Sequence, residues 1–469
     1  MTHMKLFGTA GIRKKYPDNL DPILAYKLGL AVAGIRGWRR AYIVYDSRTT
    51  NHLFTYSIAS GLMAGGIDTF IIGLAPTPIA GYAAMKYGSL GISVTASHNP
   101  PEYNGFKFYD DEGYEFTREL EAVVEKRIDE KIEPVNWSNV GRISYRPEIV
   151  EEYIHDMIQK INIEKKSWNP YIVVDLANGA AYNVTPRIIR LLGGKPLTIN
   201  ANPDGFFPVR PPEPRKDALE KYLDLYRSVN PPLILAHDGD ADRLAVLDPY
   251  KGFIRQDRII AFYAYLLLQD RKGKVIVSID TGRVVDEIVE RMNGQIERYI
   301  LGKTHERVKQ LGKNNIVLAA EPWKLIDPKW GPWVDGIWQV ALLTKEVIER
   351  GKPLLKVLDE EKIPDYPWDR RSYKIKPVEK REVIYEELVE ELKTLLGEPL
   401  NVLTIDGYRY EYKDYSWILI RKSGTEPKIR VYMEALTRTR LEEMINKFED
   451  KLIEIIKKHG ARIVEKTIG

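Results

Sequence analysis

Ala41-Tyr42-Ile43-Val44-Tyr45-Asp46, Leu53 to Ala64, and Asp68-Thr69-Phe70-Ile71-Ile72-Gly73 decide the fold between them. The outer two are short, rich in β-branched and aromatic residues, and read as strands, while the middle one reads as a helix. The same order returns at Tyr171 to Leu176 and Val184 to Leu192, where Gly193-Gly194 offers a helix stop. It appears again at Lys274 to Ile279 and Val284 to Met292. Strands separated by helices of this length imply α/β units with largely parallel pairing. The end of the chain differs, with a β-rich stretch from Asn401 to Ala435 ahead of a helix from Arg440 to Lys457. Leu441, Met444, Ile445 and Phe448 in that helix fall at the spacing of a core-facing stripe. The expected fold is three successive α/β domains with mixed, largely parallel sheets and a smaller C-terminal α+β domain. The boundaries fall at 1–148, 149–250, 251–366 and 367–469, with Pro364 to Pro367 as the last hinge.

Composition agrees and narrows the function. At 469 residues the chain has room for three or four domains of about 100–200 residues each. Seventy basic and 66 acidic residues leave a net charge of +4, too balanced for a nucleic-acid or polybasic membrane surface. No stretch approaches the roughly 18 apolar residues of a membrane span, and the amino terminus has no signal-peptide core. A cytoplasmic enzyme is expected, with neither nucleic acid nor membrane as a partner. With no Cys, disulfides, thiolate nucleophiles and Cys-bound metals are excluded.

Three polar loops follow strand-like runs. After Leu90 to Val94 comes Thr95-Ala96-Ser97-His98-Asn99-Pro100, a hydroxyl beside an imidazole on a loop that proline ends. Alone it could be an ordinary Ser/His turn. After Pro231 to Ala236 comes His237-Asp238-Gly239-Asp240-Ala241-Asp242-Arg243. Alternating aspartates on an extended loop can converge on one point, an arrangement that suits a hard divalent cation such as Mg²⁺. An EF-hand is excluded, since its sixth position would be Arg243 and its twelfth Pro249; a solvated acidic turn is the alternative. After Tyr415 to Ile420 comes Arg421-Lys422-Ser423-Gly424-Thr425-Glu426-Pro427, with Arg430 just beyond. It has the makings of a phosphate cradle, or of a plain polar hairpin. Together the loops supply the parts of phosphoryl transfer. Gly302-Lys303-Thr304 is no Walker A loop, because Glu297 stands where the first Gly belongs.

These motifs resemble those of the α-D-phosphohexomutases, the phosphoglucomutases, phosphomannomutases and phosphoglucosamine mutases. Thr95 to Pro100 matches that family's phosphoserine loop, Asp238 to Arg243 its metal loop, and Arg421 to Pro427 its phosphate loop. Phe7 to Arg13, Asn104 to Phe108, and Pro203 to Pro208 with Pro212-Glu213-Pro214 are similar to three more of its signatures, in family order. The sugar loop departs: where the family has Gly-Glu-x-Ser-Gly-His, this chain has Ala320-Glu321-Pro322-Trp323-Lys324-Leu325.

The resemblance implies a phosphohexomutase that interconverts hexose 1- and 6-phosphates through phospho-Ser97 and a hexose 1,6-bisphosphate. Glucose or mannose esters are expected, with phosphoglucosamine mutase as the alternative. It implies one Mg²⁺ per subunit on Ser97, Asp238, Asp240 and Asp242, and catalytic roles for Ser97, His98, Lys107 and Arg13. His98 or Lys107 is the acid/base candidate. Substrate contacts would come from Arg243, Gly302, Lys303, Glu321, Trp323, Arg421, Ser423, Gly424, Thr425 and Arg430. Trp323 is either a platform for a sugar face or a packed residue. Partners are small-molecule hexose phosphates, and the protein is expected as a monomer or homodimer. A metal-dependent sugar phosphatase and a non-catalytic sugar-phosphate sensor are the rival classes.

Overall fold

The computed structural model describes residues 5–8, 10–164, 168–423 and 427–468, arranged as four sheets in chain order. In the first, Arg40–Tyr45 lies between Asp68–Leu74 and Leu90–Val94 and runs parallel to both, as the strand–helix–strand reading requires. Tyr103–Tyr109 and Ile12–Lys15 add antiparallel strands at one edge, and Ile143–Tyr145 a parallel one at the other. The helix Asn51–Ala64 packs against Pro22–Ala33 at two glycines. A Cβ at Gly29 would stand 2.3 Å from the Ile58 carbonyl oxygen, and one at Gly61 2.0 Å from that of Tyr26. Only glycine permits that approach.

The second sheet repeats the plan, with Tyr171–Asp175 between Lys195–Ile199 and Ile234–His237 and parallel to both. Leu244–Asp248 and Gly252–Phe253 continue it antiparallel. In the third, Lys274–Ser278 lies between Gln295–Tyr299 and Ile316–Glu321, and Lys324–Ile326 folds back on the last. The fourth sheet is antiparallel throughout and carries the helices Arg381–Leu395 and Arg438–Lys458. Its strands reach beyond 401–435 on both sides, to Trp368–Lys376 and Arg462–Ile468. The second of these is a mostly exposed edge strand, so it lacks the buried alternating face that marks a strand in sequence.

One apolar cluster, from Tyr42 to Ile363, runs through the first three sheets, whereas the fourth has its own core from Tyr373 to Ile456. Ile279, Trp417, Leu419 and Tyr432 form a small apolar seam between the third sheet and the fourth. The linker before Trp368 is pinned, since Arg255 Nη1 donates to the Tyr366 carbonyl at 2.8 Å. The serine, aspartate and sugar loops all leave the carboxyl ends of interior strands, where α/β sheets open crevices.

Candidate active site

Ser97 is buried at the crossing of the first two sheets, with a left-handed backbone (φ 52°). That conformation costs a non-glycine residue on the order of 1 kcal/mol, so neighbours must impose it. Thr95 Oγ1 accepts from Ser97 N at 2.7 Å and donates to Asp46 Oδ2 at 2.7 Å. Gly239 closes over the loop, and a Cβ there would stand 2.8 Å from the Ser97 carbonyl oxygen. The result aims Ser97 Oγ across the domain boundary, donating to Asp238 Oδ2 at 2.8 Å.

Asp238, Asp240 and Asp242 converge as the alternation predicts, each offering a ligand oxygen within 4.8 Å of the others. All three are buried. Lys107 Nζ donates to Asp240 Oδ2 at 2.8 Å and Asp242 Oδ2 at 2.6 Å, and Thr77 Oγ1 donates to Asp240 Oδ2 at 2.8 Å. Burial, then Asp240 and Asp242, push the Asp238 carboxyl well above its ordinary value. Burial also works against ionising Asp242, but Lys107, Lys324 and Arg243 outweigh it and hold that carboxyl below the usual range. Lys107 shows the mirror image: burial opposes its charge, and Asp240 and Asp242 more than restore it. The Oδ1 atoms of Asp240 and Asp242 are buried without a hydrogen-bond partner among the described residues. An all-oxygen set with lone pairs to spare fits Mg²⁺.

Cations surround this acidic cluster. Arg243 Nε lies 3.9 Å from both Asp238 and Asp242, and its Nη1 is 3.6 Å from Glu213. His98 Nδ1 is 3.3 Å from Arg13 Nη1 and from Ser97 Oγ. A guanidinium can only donate, so Nδ1 carries the lone pair. Burial, then Arg243, Arg13, Lys324 and Lys107, hold the imidazole well below its usual pKa, so it is neutral. Arg13, Lys107, Arg243 and Lys324, with a divalent ion on the carboxylates, would oppose the roughly two negative charges of a phosphoryl group.

At the sugar loop, Glu321 Oε1 accepts from Gly302 N at 2.9 Å, Thr304 Oγ1 at 2.9 Å and Thr304 N at 3.3 Å. One carboxylate oxygen therefore ties the two expected substrate loops together and leaves Oε2 toward Lys324 Nζ, 3.7 Å away. Trp323, also left-handed (φ 67°), packs against the core of the second sheet. Its backbone accepts from Leu244 N at 2.9 Å and donates to Gln256 at 3.2 Å. The half-buried Trp323 ring packs on that core and also lies 5.8 Å from the Arg243 guanidinium carbon, so it borders the site. It anchors the loop, which leaves Lys324 as the side chain that replaces the expected small residue. Trp330, Trp333 and Trp338 are structural, donating their indole N–H groups to Asp335 and Asp327.

On the fourth sheet Arg421 and Arg430 are cross-strand partners, and Arg421 Nη2 donates to Asp406 at 2.6 Å. Two guanidinium side chains directly opposite repel unless an anion lies between them. Ser423 Oγ is buried with no partner among the described residues. Gly424 and Thr425 lie outside those residues. Leu301 N donates to Asp406 at 3.3 Å, linking this cradle to the 302–304 loop, where Lys303 lies 3.6 Å from Glu306.

Comparison with known proteins settles the family. Models of phosphoglucomutase/phosphomannomutase α/β/α domain I, α/β/α domain II and the C-terminal domain match residues 4–134, 151–252 and 374–451. This chain belongs to the phosphoglucomutase/phosphomannomutase family. It is similar, at 37% identity over 97% of its length and 99% of the relative's, to a phosphopentomutase of Thermococcus kodakarensis. A probable phosphoglucosamine mutase of Pyrococcus furiosus is 36% identical, over 97% and 99% of the two chains. Among solved structures, a family protein from Burkholderia thailandensis shares the fold with a TM-score of 0.83 at 24% identity, covering 97% of this chain and 98% of that one. The chain is thus an intramolecular phosphotransferase of the isomerase class.

Several site residues of this mutase-family chain carry no local signal. Thr77 and Arg48 reach the loops from distant segments, and Arg210 grips Asp175 at 2.9 and 3.0 Å while donating to the His237 carbonyl at 2.7 Å. Pro76 and Pro78 flank Thr77, and nothing in the sequence ties it to Asp240. No helix among the described residues is long and apolar enough to cross a membrane.

Proposed function

We propose that this protein interconverts 1- and 6-phosphates of neutral hexoses, glucose and mannose, through phospho-Ser97 and a 1,6-bisphosphate. The observation that carries the reading is Ser97 Oγ, 2.8 Å from Asp238 inside a ring formed by Arg13, Lys107 and Arg243. Domain limits at 148 and 366, with the second domain carried past 250 to keep Gly252–Phe253 in its sheet, would give each domain one functional loop. Asp238, Asp240, Asp242 and the serine oxygen would hold Mg²⁺, which as a Lewis acid would draw charge from the phosphoryl oxygens.

The remaining steps belong to the chain's own side chains. The phosphorus–Oγ bond of phospho-Ser97 breaks as a sugar hydroxyl oxygen bonds to phosphorus, and the hydroxyl proton passes to a base. His98, neutral with a lone pair on Nδ1, suits that role better than Lys107, whose ammonium is held between two carboxylates. The bisphosphate reorients and returns its other phosphoryl group to Ser97. Arg421, Ser423 and Arg430, with Gly424 and Thr425, would grip the phosphate that is not transferring.

Lys324 supports a neutral sugar. Two ammonium groups 5–10 Å apart near a protein surface repel by about 1.5–3 kcal/mol, of which Glu321, 3.7 Å from Lys324, offsets a part, so a protonated 2-amino sugar beside Lys324 is disfavoured by the remainder. Relatives named phosphoglucosamine mutase favour the second reading, and the phosphopentomutase adds pentose esters to the test. The test is a mutase assay with Mg²⁺ and a trace of hexose 1,6-bisphosphate on glucose, mannose, glucosamine and ribose 1-phosphates. Conversion of the glucose and mannose esters with little glucosamine turnover is expected, and Lys324→Met should raise the glucosamine-to-glucose ratio. A wild-type preference for glucosamine 1-phosphate would establish the second reading instead.

A further inference from the structure

Arg48 is fully buried, and every N–H of its guanidinium is spent near the serine loop. Nε donates to Asp46 Oδ2 at 3.0 Å. Nη1 donates to the carbonyls of Pro100 at 2.6 Å and Tyr103 at 2.8 Å, and Nη2 to those of Ser97 at 2.9 Å and Asn99 at 2.7 Å. Four carbonyls spread over residues 97 to 103 thus converge on one rigid plane. Lysine cannot reproduce that geometry, because its three donors radiate from a single point.

The acceptor of Nε extends the network to the nucleophile from its other side. Asp46 Oδ2 also accepts from Thr95 Oγ1, which in turn accepts from the Ser97 amide. The peptide groups on both sides of Ser97 are therefore held by the same Asp46–Arg48 pair. The second domain covers the pair: the Phe207 ring lies 5.2 Å from the guanidinium carbon, and a Cβ at Gly205 would stand 2.4 Å from Thr49 N. This gives the Pro203-to-Pro208 signature a task, to seat the second domain on the back of the serine loop.

We propose that Arg48, acting with Asp46 and Thr95, is the positioning residue that fixes the left-handed turn at Ser97 and aims its oxygen at the aspartate cluster. The inference rests on the phosphoserine reading. Arg48 touches neither substrate nor metal, so its loss acts on the chemical step. A misplacement of about 1 Å in a reacting group costs on the order of 100-fold in rate.

The test uses the full-length protein with Arg48→Lys, Thr95→Val and Thr95→Ser. Turnover, KM for the sugar phosphate, and the rate of Ser97 phosphorylation by hexose 1,6-bisphosphate are measured on each. Arg48→Lys should lower kcat and the phosphorylation rate together by about 100-fold with KM within about twofold. Thr95→Val, isosteric without the bridging hydroxyl, should lower both at least about tenfold, and Thr95→Ser should restore them. If Arg48→Lys does not fold, the Thr95 pair decides. Wild-type protein that acquires no phosphate on Ser97 would remove the mutase reading itself. A phosphorylated, active wild type with variants of unchanged kcat, or with KM moving alongside kcat, would overturn the role given to Arg48.

Discussion

Replacing Lys107 with Met should destabilise the protein most when Mg²⁺ is absent. Its ammonium bridges Asp240 and Asp242 at 2.8 and 2.6 Å, and all three side chains are almost wholly buried. Removing one partner of a buried ion pair typically costs about 3–5 kcal/mol, because the other charge stays behind unpaired. For 469 residues unfolding as one unit, the unfolding entropy is about 1 kcal/mol/K, so the loss corresponds to a fall in Tm of about 3–5 °C. A bound divalent ion would supply the missing charge, and Lys107 would no longer compete for the same carboxylates. The Mg²⁺-induced rise in Tm should therefore be larger in the variant than in the wild type. Ligand at 100 times its Kd stabilises by about 2.7 kcal/mol, which gives the wild-type rise a scale of about 3 °C. Calorimetry in EDTA and in saturating MgCl₂ reads all four values. An equal loss in both buffers, or none in EDTA, would refute the reasoning that one acidic cluster serves Lys107 and the metal.

Further outcomes follow from the same geometry. Asp335→Ala should cost about 3–5 kcal/mol by chemical denaturation, since it strands Tyr153 OH and the Trp330 and Trp333 indole N–H groups, which now donate at 2.7 to 3.1 Å. Arg421→Ala should raise KM for sugar phosphates by about 10- to 100-fold, the worth of a charge-assisted bond, with a smaller change in kcat. Burial pushes the Glu121 carboxyl up to about 8, against the pull of Arg118 at 2.6 Å. A raised carboxyl keeps its proton in the folded state while the unfolded chain releases it, so stability falls as pH rises from about 4.5 to 8, by about 1.4 kcal/mol per unit at most. Glu121→Gln should remove that slope, and a gap from wild type that does not change with pH would mean that Arg118 keeps Glu121 ionised.

What could be read from the sequence was local. Strand–helix–strand alternation between Ala41 and Gly73 predicts the parallel centre of the first sheet, because burial on both faces leaves an apolar run. The serine and aspartate loops were legible because each packs its chemistry into about seven residues. Glu321 was read as a sugar contact alone, because its partners Gly302 and Thr304 stand on another element. Trp323 was ambiguous because its neighbours, the second-sheet core and Arg243, come from other elements. Arg48 and Thr77 were invisible for the same reason, lying 49 and 163 residues from the groups they hold. Arg462–Ile468 escaped as an edge strand without a buried face.

The central claim is that Ser97 carries the phosphoryl group that moves. Its most direct test is tandem mass spectrometry of the protein after incubation with hexose 1,6-bisphosphate and Mg²⁺, then after a chase with excess hexose 1-phosphate. The account predicts phosphate on Ser97 alone, lost in the chase as bisphosphate forms, and no label and no turnover in Ser97→Ala. Phosphate on another residue, or full mutase activity in Ser97→Ala, would contradict it.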